Sequence, residues 1–201
     1  LCLTNDEMRM ELTRNALERL RQIPGPTMIS ISQNDNSGNC QCNNCQAVEM
    51  EEGSPAGLMI RFVNRVAEDI EKEFPEVLVE TLAYVYTRKP PRRVRPRHNV
   101  VVRLCSIECD FGETLEKSAH NAGFREDVKG WSRIAPQLYI WDYVTNFSNY
   151  LIPHPNLHVL APNLRYFVRN GAIGVFEQGD SGSRTGEFIR LRAWLLAHLL
   201  W

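Results

Sequence analysis

The sequence predicts an α/β protein with parallel strands, formed by the C-terminal five strand–helix units of a (β/α)8 TIM-type barrel. Three observations support this fold class. Short β-like runs alternate with helical stretches along the chain. Polar or aromatic residues follow the C-terminal end of each predicted strand, which is the catalytic edge of a barrel. No glycine-rich fingerprint occupies an early strand-to-helix turn, as a doubly wound nucleotide-binding sheet would require.

The elements follow one another with few interruptions. The capping-box spacing of Thr4 and Glu7 opens the first helix, and Ser54 followed by Pro55 opens the second, which Pro75 ends. Gly171 is placed as a C-terminal cap. The predicted helices cover residues 4–22, 54–74, 156–170 and 185–201; the predicted strands cover 27–33, 77–86, 99–106, 137–143 and 173–179; a polar loop covers 34–53.

Composition limits the possible classes of protein. The 201 residues are 43% apolar, and 23 basic against 24 acidic residues give a net charge of −1. This balance excludes a general electrostatic attraction to nucleic acid, and no apolar run is long enough to span a bilayer. We expect a single partial barrel domain over residues 1–201, a fragment of a longer protein. Lacking the first three barrel strands, it would fold poorly alone or borrow a neighbour.

Carboxylates at the strand ends are the candidate catalytic groups. Asp142 lies among large aromatics in the run from Tyr139 to Tyr143, where an unpaired carboxylate would be costly to bury. It is either an acid or base or, alternatively, a cap or the partner of an arginine. Asp110 follows the strand over 99–106, where Glu108 competes with it for the inward position; the alternative is that Asp110 belongs to the loop.

Two further strand ends carry candidate ligand contacts. Glu177 shares a strand face with Val175, so it would lie at the barrel mouth if Val175 lines the barrel. A structural role is the alternative. Alternation of Ser30 and Ser32 with aliphatic residues that face the helices points Asn34 inward, with Asp35 just beyond the strand. The alternative for Asn34 and Asp35 is a simple turn.

These carboxylates are accompanied by aromatic residues suited to a sugar platform: Tyr84, Tyr86, Trp141 and Tyr143. Two or three carboxylates around one pocket are typical of glycoside hydrolysis, which needs a protonated acid and an ionised partner. A nucleophilic serine motif and a phosphate-binding loop are both missing from the sequence.

Three cysteines in one hexapeptide form a possible metal site. Cys40, Cys42 and Cys45 supply three thiolates, and a tetrahedral structural zinc site needs a fourth ligand. Cys105 or Cys109 could complete it. Disulfides in an exported protein, or free thiols, are the alternatives.

Several motifs together resemble a bacterial family of domains of unknown function. They are the segments 29–35, 82–84, 139–143, 153–157 and 174–179, together with the cysteine loop. The family occurs in large secreted or surface proteins, many from polysaccharide-degrading bacteria, and is grouped with glycoside hydrolase TIM barrels. The resemblance therefore implies a secreted, periplasmic or cell-surface location.

The chain also shows a more distant similarity to bacterial α-glucuronidases. That resemblance implies that Asp35 takes the general-acid position, that Asp110 with Phe111 matches the sixth strand, and that Asp142 with Tyr143 matches the seventh. The glucuronidases carry Glu where this chain has Asp35 and Asp142, and they have no counterpart of the cysteine loop.

We therefore expect a glycoside hydrolase-like domain that acts on a polysaccharide or glycan by carboxylate acid/base chemistry. Asp35 would be the acid, Asp110 and Asp142 the base or stabilising pair, and Asn34 and Glu177 substrate contacts beside the aromatic platform. The alternative is a non-catalytic carbohydrate-binding or structural module of a cell-surface protein. We expect no catalytic cofactor. The expected partners are a carbohydrate, the remaining barrel strands and flanking domains, without nucleic acid.

Overall fold

The computed structural model describes residues 1–180, 182 and 185–201. Over these residues the chain is a mixed α/β protein with one five-stranded sheet and six α-helices. The strands are β1 (Met28–Ser30), β2 (Leu78–Ala83), β3 (Val100–Cys105), β4 (Gln137–Tyr143) and β5 (Ala172–Gln178). The helices are α1 (Asp6–Gln22), α2 (Asn43–Glu52), α3 (Pro55–Glu71), α4 (Ala122–Ile134), α5 (Leu157–Arg169) and α6 (Ile189–Leu200).

The sheet is parallel throughout, and its strands are arranged in the order of the sequence, β1-β2-β3-β4-β5. The predicted parallel α/β arrangement is therefore confirmed. A doubly wound sheet reverses its strand order at a switch point, whereas here each strand lies beside the next one along the chain. Strands β1 and β5 form the two edges of the described sheet.

The two faces of the sheet differ. Val102, Ile140 and Val175 belong to one face, where they pack into the hydrophobic core beneath the helices. Ile29 and Ile31 pack against the same core, as their alternation with serine predicts. Because Val175 faces the helices and not the opposite side, the condition for placing Glu177 at a barrel mouth is not met. Side chains alternate along a strand, so Glu177 also lies on this helix-covered face.

Helix α1 begins one residue later than its sequence spacing suggests. The N-cap is Asn5, whose side-chain oxygen accepts a hydrogen bond from the Met8 N–H at 2.7 Å. The prediction of Thr4 as the capping residue is therefore wrong. The Thr4 hydroxyl instead lies 3.4 Å from the Cys45 sulfur.

Helix α3 begins as predicted. Ser54 is the N-cap and accepts a hydrogen bond from the Ala56 N–H at 3.1 Å, with Pro55 at the first helical position. The Ser54 hydroxyl also donates to the Lys89 carbonyl at 2.6 Å, which anchors the extended segment after β2. Ten residues of this helix are buried, so it is the main cover of the sheet.

The polar loop predicted over residues 34–53 contains a helix, α2, which begins directly after Cys42. Only Cys45 and Glu52 are buried in it. With so little apolar periodicity, the pattern that identifies an amphipathic helix is missing, and this explains the wrong prediction. Helix α4 occupies the segment between β3 and β4.

Helix α6 is shorter than the predicted element over 185–201, because it begins at Ile189. Arg192, which is 4% exposed, ties it to the Asn156 side chain and the Glu187 carboxylate. Among the described residues, no helix combines the length and apolar character needed to cross a bilayer.

Candidate functional site

A pocket of about 420 Å³ opens at the C-terminal end of the sheet. Four of the predicted site residues line it together with six others: Gln33, Asp35, Leu82, Tyr84, Cys105, Ile107, Trp141, Tyr143, Phe147 and Gln178. Its volume and its mixture of aromatic and polar groups are typical of small-molecule sites.

Strand geometry places these side chains on one side. Trp141 and Tyr143 alternate with Asp142 along β4, so the two rings share a face. Cys105 pairs in register with Trp141, and Gln178 with Tyr143. Neighbouring parallel strands point their paired residues the same way, and the strand ends therefore converge on a single pocket.

The aromatic residues form one continuous wall. The Trp141 and Tyr143 rings are stacked with centroids 6.4 Å apart, and Phe147 meets Tyr143 edge-on at 5.6 Å. The Trp141 indole N–H donates to the Gln178 side-chain oxygen at 2.6 Å. The guanidinium carbon of Arg103 lies 5.5 Å from the indole centroid. These contacts hold the Trp141 ring in place before any ligand binds.

Polar groups also line the pocket. Gln33 is fixed by donating to the Tyr84 carbonyl at 3.2 Å and accepting from the Thr87 hydroxyl. Burial raises the pKa of Tyr84, and a hydrogen bond to Asp35 raises it further. Burial also raises the pKa of Tyr143, so both phenols are neutral hydrogen-bonding groups at physiological pH. Asp35 is the carboxylate of this pocket and is exposed.

Asp142 and Glu177 form a second group on the helix-covered face. They pair in register on β4 and β5, and Asp142 is 4% exposed. The Ser106 hydroxyl donates to Asp142, while one buried oxygen of Glu177 has no hydrogen-bond partner among the described residues. Burial raises the pKa of both carboxyls, and the charge of Asp142 raises that of Glu177 further. Neither side chain lines the aromatic pocket.

The remaining predicted residues lie elsewhere. Asp110 sits in the loop after β3, where it accepts from the Gly112 N–H and the Ser118 hydroxyl, both at 2.8 Å. Those bonds lower the pKa of Asp110. Asn34 and Tyr86 line a separate small cavity of about 80 Å³. The predicted catalytic set Asp35, Asp110 and Asp142 is thus not brought together in one pocket.

The sequence reasoning missed Gln33, Phe147 and Gln178 as pocket residues. For Gln178 a signal existed in the alternation of β5: Gln178, and not Glu177, occupies the opposite face from Val175. Gln33 and Phe147 follow strand ends in irregular segments, where no periodicity fixes the direction of a side chain.

Four thiols gather at the other end of the loop that carries Asp35. The sulfur atoms of Cys2, Cys40, Cys42 and Cys45 all lie within 4.8 Å of one another, and Cys2 lies 3.8 Å from Cys42 and 3.7 Å from Cys45. A tetrahedron of thiolates bound to zinc at about 2.3 Å has edges of about 3.8 Å. The cluster could therefore hold a metal such as zinc.

The fourth member of this cluster is Cys2, and the prediction of Cys105 or Cys109 is wrong. Cys105 lies at the end of β3 and lines the pocket, and burial together with the charge of Asp142 raises the pKa of the Cys109 thiol. All six cysteines are free thiols in this structure. Cys2 is 38 residues from Cys40, which is why local spacing did not reveal it.

Comparison with known protein families identifies a family that matches this chain. The family described as a domain of unknown function, DUF4838, matches residues 1–201. The chain belongs to the DUF4838 family. A search of curated proteins gives no match. The expected resemblance to a family of unknown function is therefore confirmed, whereas glycoside hydrolase grouping and similarity to α-glucuronidases stay predictions.

In this DUF4838 domain the thiols differ in their acidity. The Cys45 N–H, by hydrogen bonding, lowers the pKa of Cys42 to about 6, with further help from the neighbouring thiols. Burial raises the pKa of Cys45 to about 11. Cys42 is the N-cap of α2, a position where a helix stabilises negative charge.

Proposed function

We propose that the pocket at the strand ends binds a carbohydrate. The observation that carries this proposal is the combination of a fixed aromatic wall with Asp35, Gln33 and Gln178 in one pocket of about 420 Å³. Sugar rings present apolar C–H faces and polar hydroxyl edges. Aromatic rings cover the former, and carboxylate and amide groups bond the latter.

Different pocket residues would contact different parts of the sugar. The Trp141–Tyr143–Phe147 wall supplies the surface for the sugar ring, because its rings hold one another in place. Asp35 accepts hydrogen bonds from hydroxyl groups, and the Gln178 amide donates while its oxygen holds the indole. The rings of the wall lose little side-chain freedom on binding, which favours affinity.

Glycan-array screening followed by calorimetry tests this proposal. We expect the wild-type protein to bind at least one plant or host glycan, and Trp141→Ala to weaken binding about tenfold or more. Trp194→Ala is the matched control, since Trp194 is 57% exposed on α6 and outside the pocket. Absence of glycan binding by the wild type, or equal binding by Trp141→Ala, would overturn the proposal.

Glycoside hydrolysis is the second candidate. One observation favours it: Asp35, a carboxylate of the kind that such chemistry uses, lies in the aromatic pocket. Turnover of the glycan identified on the array, abolished in Asp35→Asn, would support hydrolysis. Binding without turnover would favour the non-catalytic function.

We further propose that the five units are an arc of a (β/α)8 barrel. Support comes from the sequential order of the parallel strands. It also comes from polar side chains on the sheet face opposite the helices, where Arg103 and Glu80 form an ion pair at 3.4 Å. An experimental structure of the full natural protein tests it. Further parallel strands beside β1 and β5 would support a barrel, and a reversal of strand order would contradict it.

We also propose that the metal of the four-thiol cluster is zinc with a structural role. Four protein ligands fill a tetrahedral site completely, leaving no position for a substrate. Elemental analysis of purified protein should find one zinc per chain. Protein purified with zinc in the medium that contains no bound metal would refute this assignment.

A further inference from the structure

We infer that the metal at the four-thiol cluster orders the loop from Ile31 to Cys40 and thereby holds Asp35 at the pocket. The inference rests on the proposed structural zinc. Under this inference the cluster affects the carbohydrate site, although none of the four cysteines of the cluster lines that pocket. Cys40 would then be a positioning residue for Asp35.

The first end of this loop is attached to the sheet without help from a metal. The Ile31 N–H donates to the Glu80 carbonyl at 2.8 Å, which continues the pairing of β1 with β2. Gln33 bonds both the Tyr84 carbonyl and the Thr87 hydroxyl. These backbone and side-chain bonds fix residues 31–33 on the β2 side.

The middle of the loop is held far less firmly. Residues 34–38 are exposed, and the hydrogen bonds found there link loop residues to each other: the Asn36 N–H to the Asn34 carbonyl, and the Gly38 N–H to the Asn36 side chain, each at 2.8 Å. Asp35 itself hydrogen-bonds the Tyr84 side chain, and its charge also acts on Tyr143. Such a segment opens easily unless both ends are tied down.

The second end has one hydrogen bond to α2 and then enters the thiol cluster. Asn39 donates to the Glu49 carboxylate at 3.2 Å, and the next residue is Cys40. The other three thiols belong to the N-terminal segment, Cys2, and to the start of α2, Cys42 and Cys45. A bound metal would therefore link the loop to two separate segments through one ion.

Fixing both ends restricts the positions open to Asp35, which lies five residues before Cys40. A loop that is ordered before the ligand arrives loses less entropy on binding. The metal thus acts on the pocket through the backbone of the loop, while contributing no group to the ligand.

Hydrogen exchange measured on the full chain tests this inference. In the zinc-loaded protein, we expect amides of residues 34–40 to exchange about tenfold more slowly than after chelation, and zinc re-addition to restore the protection. Cys2→Ala should give the unprotected loop even with zinc present, because it removes a ligand while leaving the loop sequence unchanged. Cys109→Ala, which removes a thiol outside the cluster, should behave as wild type.

The outcomes separate the two proposals. One zinc per chain, with loop exchange unaffected by chelation and by Cys2→Ala, would overturn the inference and leave the structural zinc standing. Failure to bind zinc would overturn both. The expected result is slower exchange of the loop amides in the zinc-loaded protein, with this protection lost in Cys2→Ala and kept in Cys109→Ala. It would establish that the metal orders the loop, whether or not a glycan has been identified.

Discussion

The position of a carboxylate relative to the two faces of the sheet decides its chemistry in this protein. Trp141 and Asp142 are adjacent in β4, yet the indole lines the pocket and the carboxyl lies beneath the helices. Glu177, paired with Asp142, has a buried oxygen for which the described part of the chain supplies no hydrogen-bond partner. A proton on Glu177 removes the cost of burying a second negative charge beside Asp142.

We predict that Glu177→Gln stabilises the protein increasingly as pH rises. Burial and the Asp142 charge raise the pKa of Glu177 from 4.5 to about 9. The unfolded chain releases the proton near pH 4.5, but the folded chain retains it, so the wild type loses stability between these two pH values. Glutamine has no proton to release.

Urea unfolding of wild type and Glu177→Gln at several pH values measures this effect. The stability gap should be smallest near pH 4 and grow towards pH 9. Glu76→Gln, at an exposed position before β2, serves as the control and should not show this trend. A gap that stays constant with pH would contradict a protonated Glu177 in the folded protein.

Gly174 is required by the aromatic packing on the sheet face opposite the helices. A Cβ atom at this position would lie 2.0 Å from the Tyr139 ring, which covers the glycine and donates its hydroxyl to the Val175 carbonyl at 3.2 Å. We expect Gly174→Ala to lower the free energy of unfolding by about 1–3 kcal/mol, because the ring must move. A Cβ atom at Gly179 meets no atom of the described residues within 4 Å, so Gly179→Ala should change the free energy of unfolding by less than about 0.5 kcal/mol. If Gly174→Ala and the wild type were equally stable in chemical denaturation, the Tyr139 ring would move without cost, contrary to this prediction.

At the scale of elements, the junction of α2 and α3 is organised by one buried carboxylate. Glu52, the last residue of α2, is fully buried and accepts hydrogen bonds from the N–H groups of Arg93 and Val94 at 2.9 and 3.0 Å, and from Arg61. Burial alone would raise the pKa of Glu52, but these donors outweigh it and lower the pKa. One side chain thus joins two helices to the arginine-rich segment 88–97, which follows β2.

We predict that Glu52→Gln lowers the free energy of unfolding by about 2 kcal/mol, since a neutral amide accepts these charge-assisted bonds poorly and brings its own donors towards other donors. Glu51→Gln is the matched control, because Glu51 is 40% exposed and pairs with Arg61 and Arg93 at the surface. It should cost less than about 0.5 kcal/mol in the same denaturation experiment. Similar losses in both variants would contradict the special role of the buried carboxylate.

The sequence predicted those elements whose boundaries depend on local chemistry. Ser54 and Pro55 specify the start of α3, and β4 has the predicted bounds because turn-forming or polar residues flank a β-rich run. Helix α2 was missed, since its stability comes from Cys45 and Glu52, two residues whose partners are distant in the sequence. Local patterns do not contain such contacts.

The same distinction applies to the candidate sites. Tyr84, Trp141 and Tyr143 reach one pocket because parallel strand ends converge, which the alternation of elements already implied. The carboxylates were harder to place. A position at the end of a strand puts a residue at one edge of the sheet, but it does not determine on which face of the sheet the side chain lies. Cys2 could not be connected to the cysteine hexapeptide, since only the packing of the N-terminal segment on α2 brings it there.

For the molecule as a whole, the two sites lie at opposite ends of one loop, which leaves the sheet beside the pocket and finishes at the thiol cluster. The cluster also holds the N-terminal segment immediately before α1, and α1 packs through Ala16 and Leu20 into the main core. A ligand that binds only the folded chain stabilises all the parts that unfold together with its site. Zinc should therefore raise the stability of the entire domain.

We predict that chelation of zinc lowers the midpoint of thermal unfolding by about 5–10 °C. Free zinc at a hundred times its dissociation constant adds about 2.7 kcal/mol, and each kcal/mol shifts the midpoint of a domain of this size by about 2–4 °C. Calorimetry of loaded and chelated protein measures the shift. Cys109→Ala should retain the response to zinc, whereas Cys2→Ala should lose most of it because three thiolates bind the ion more weakly. If loaded and chelated wild type unfold at the same temperature, the ion contributes nothing to the stability of the fold, and the thiol cluster is not a structural metal site.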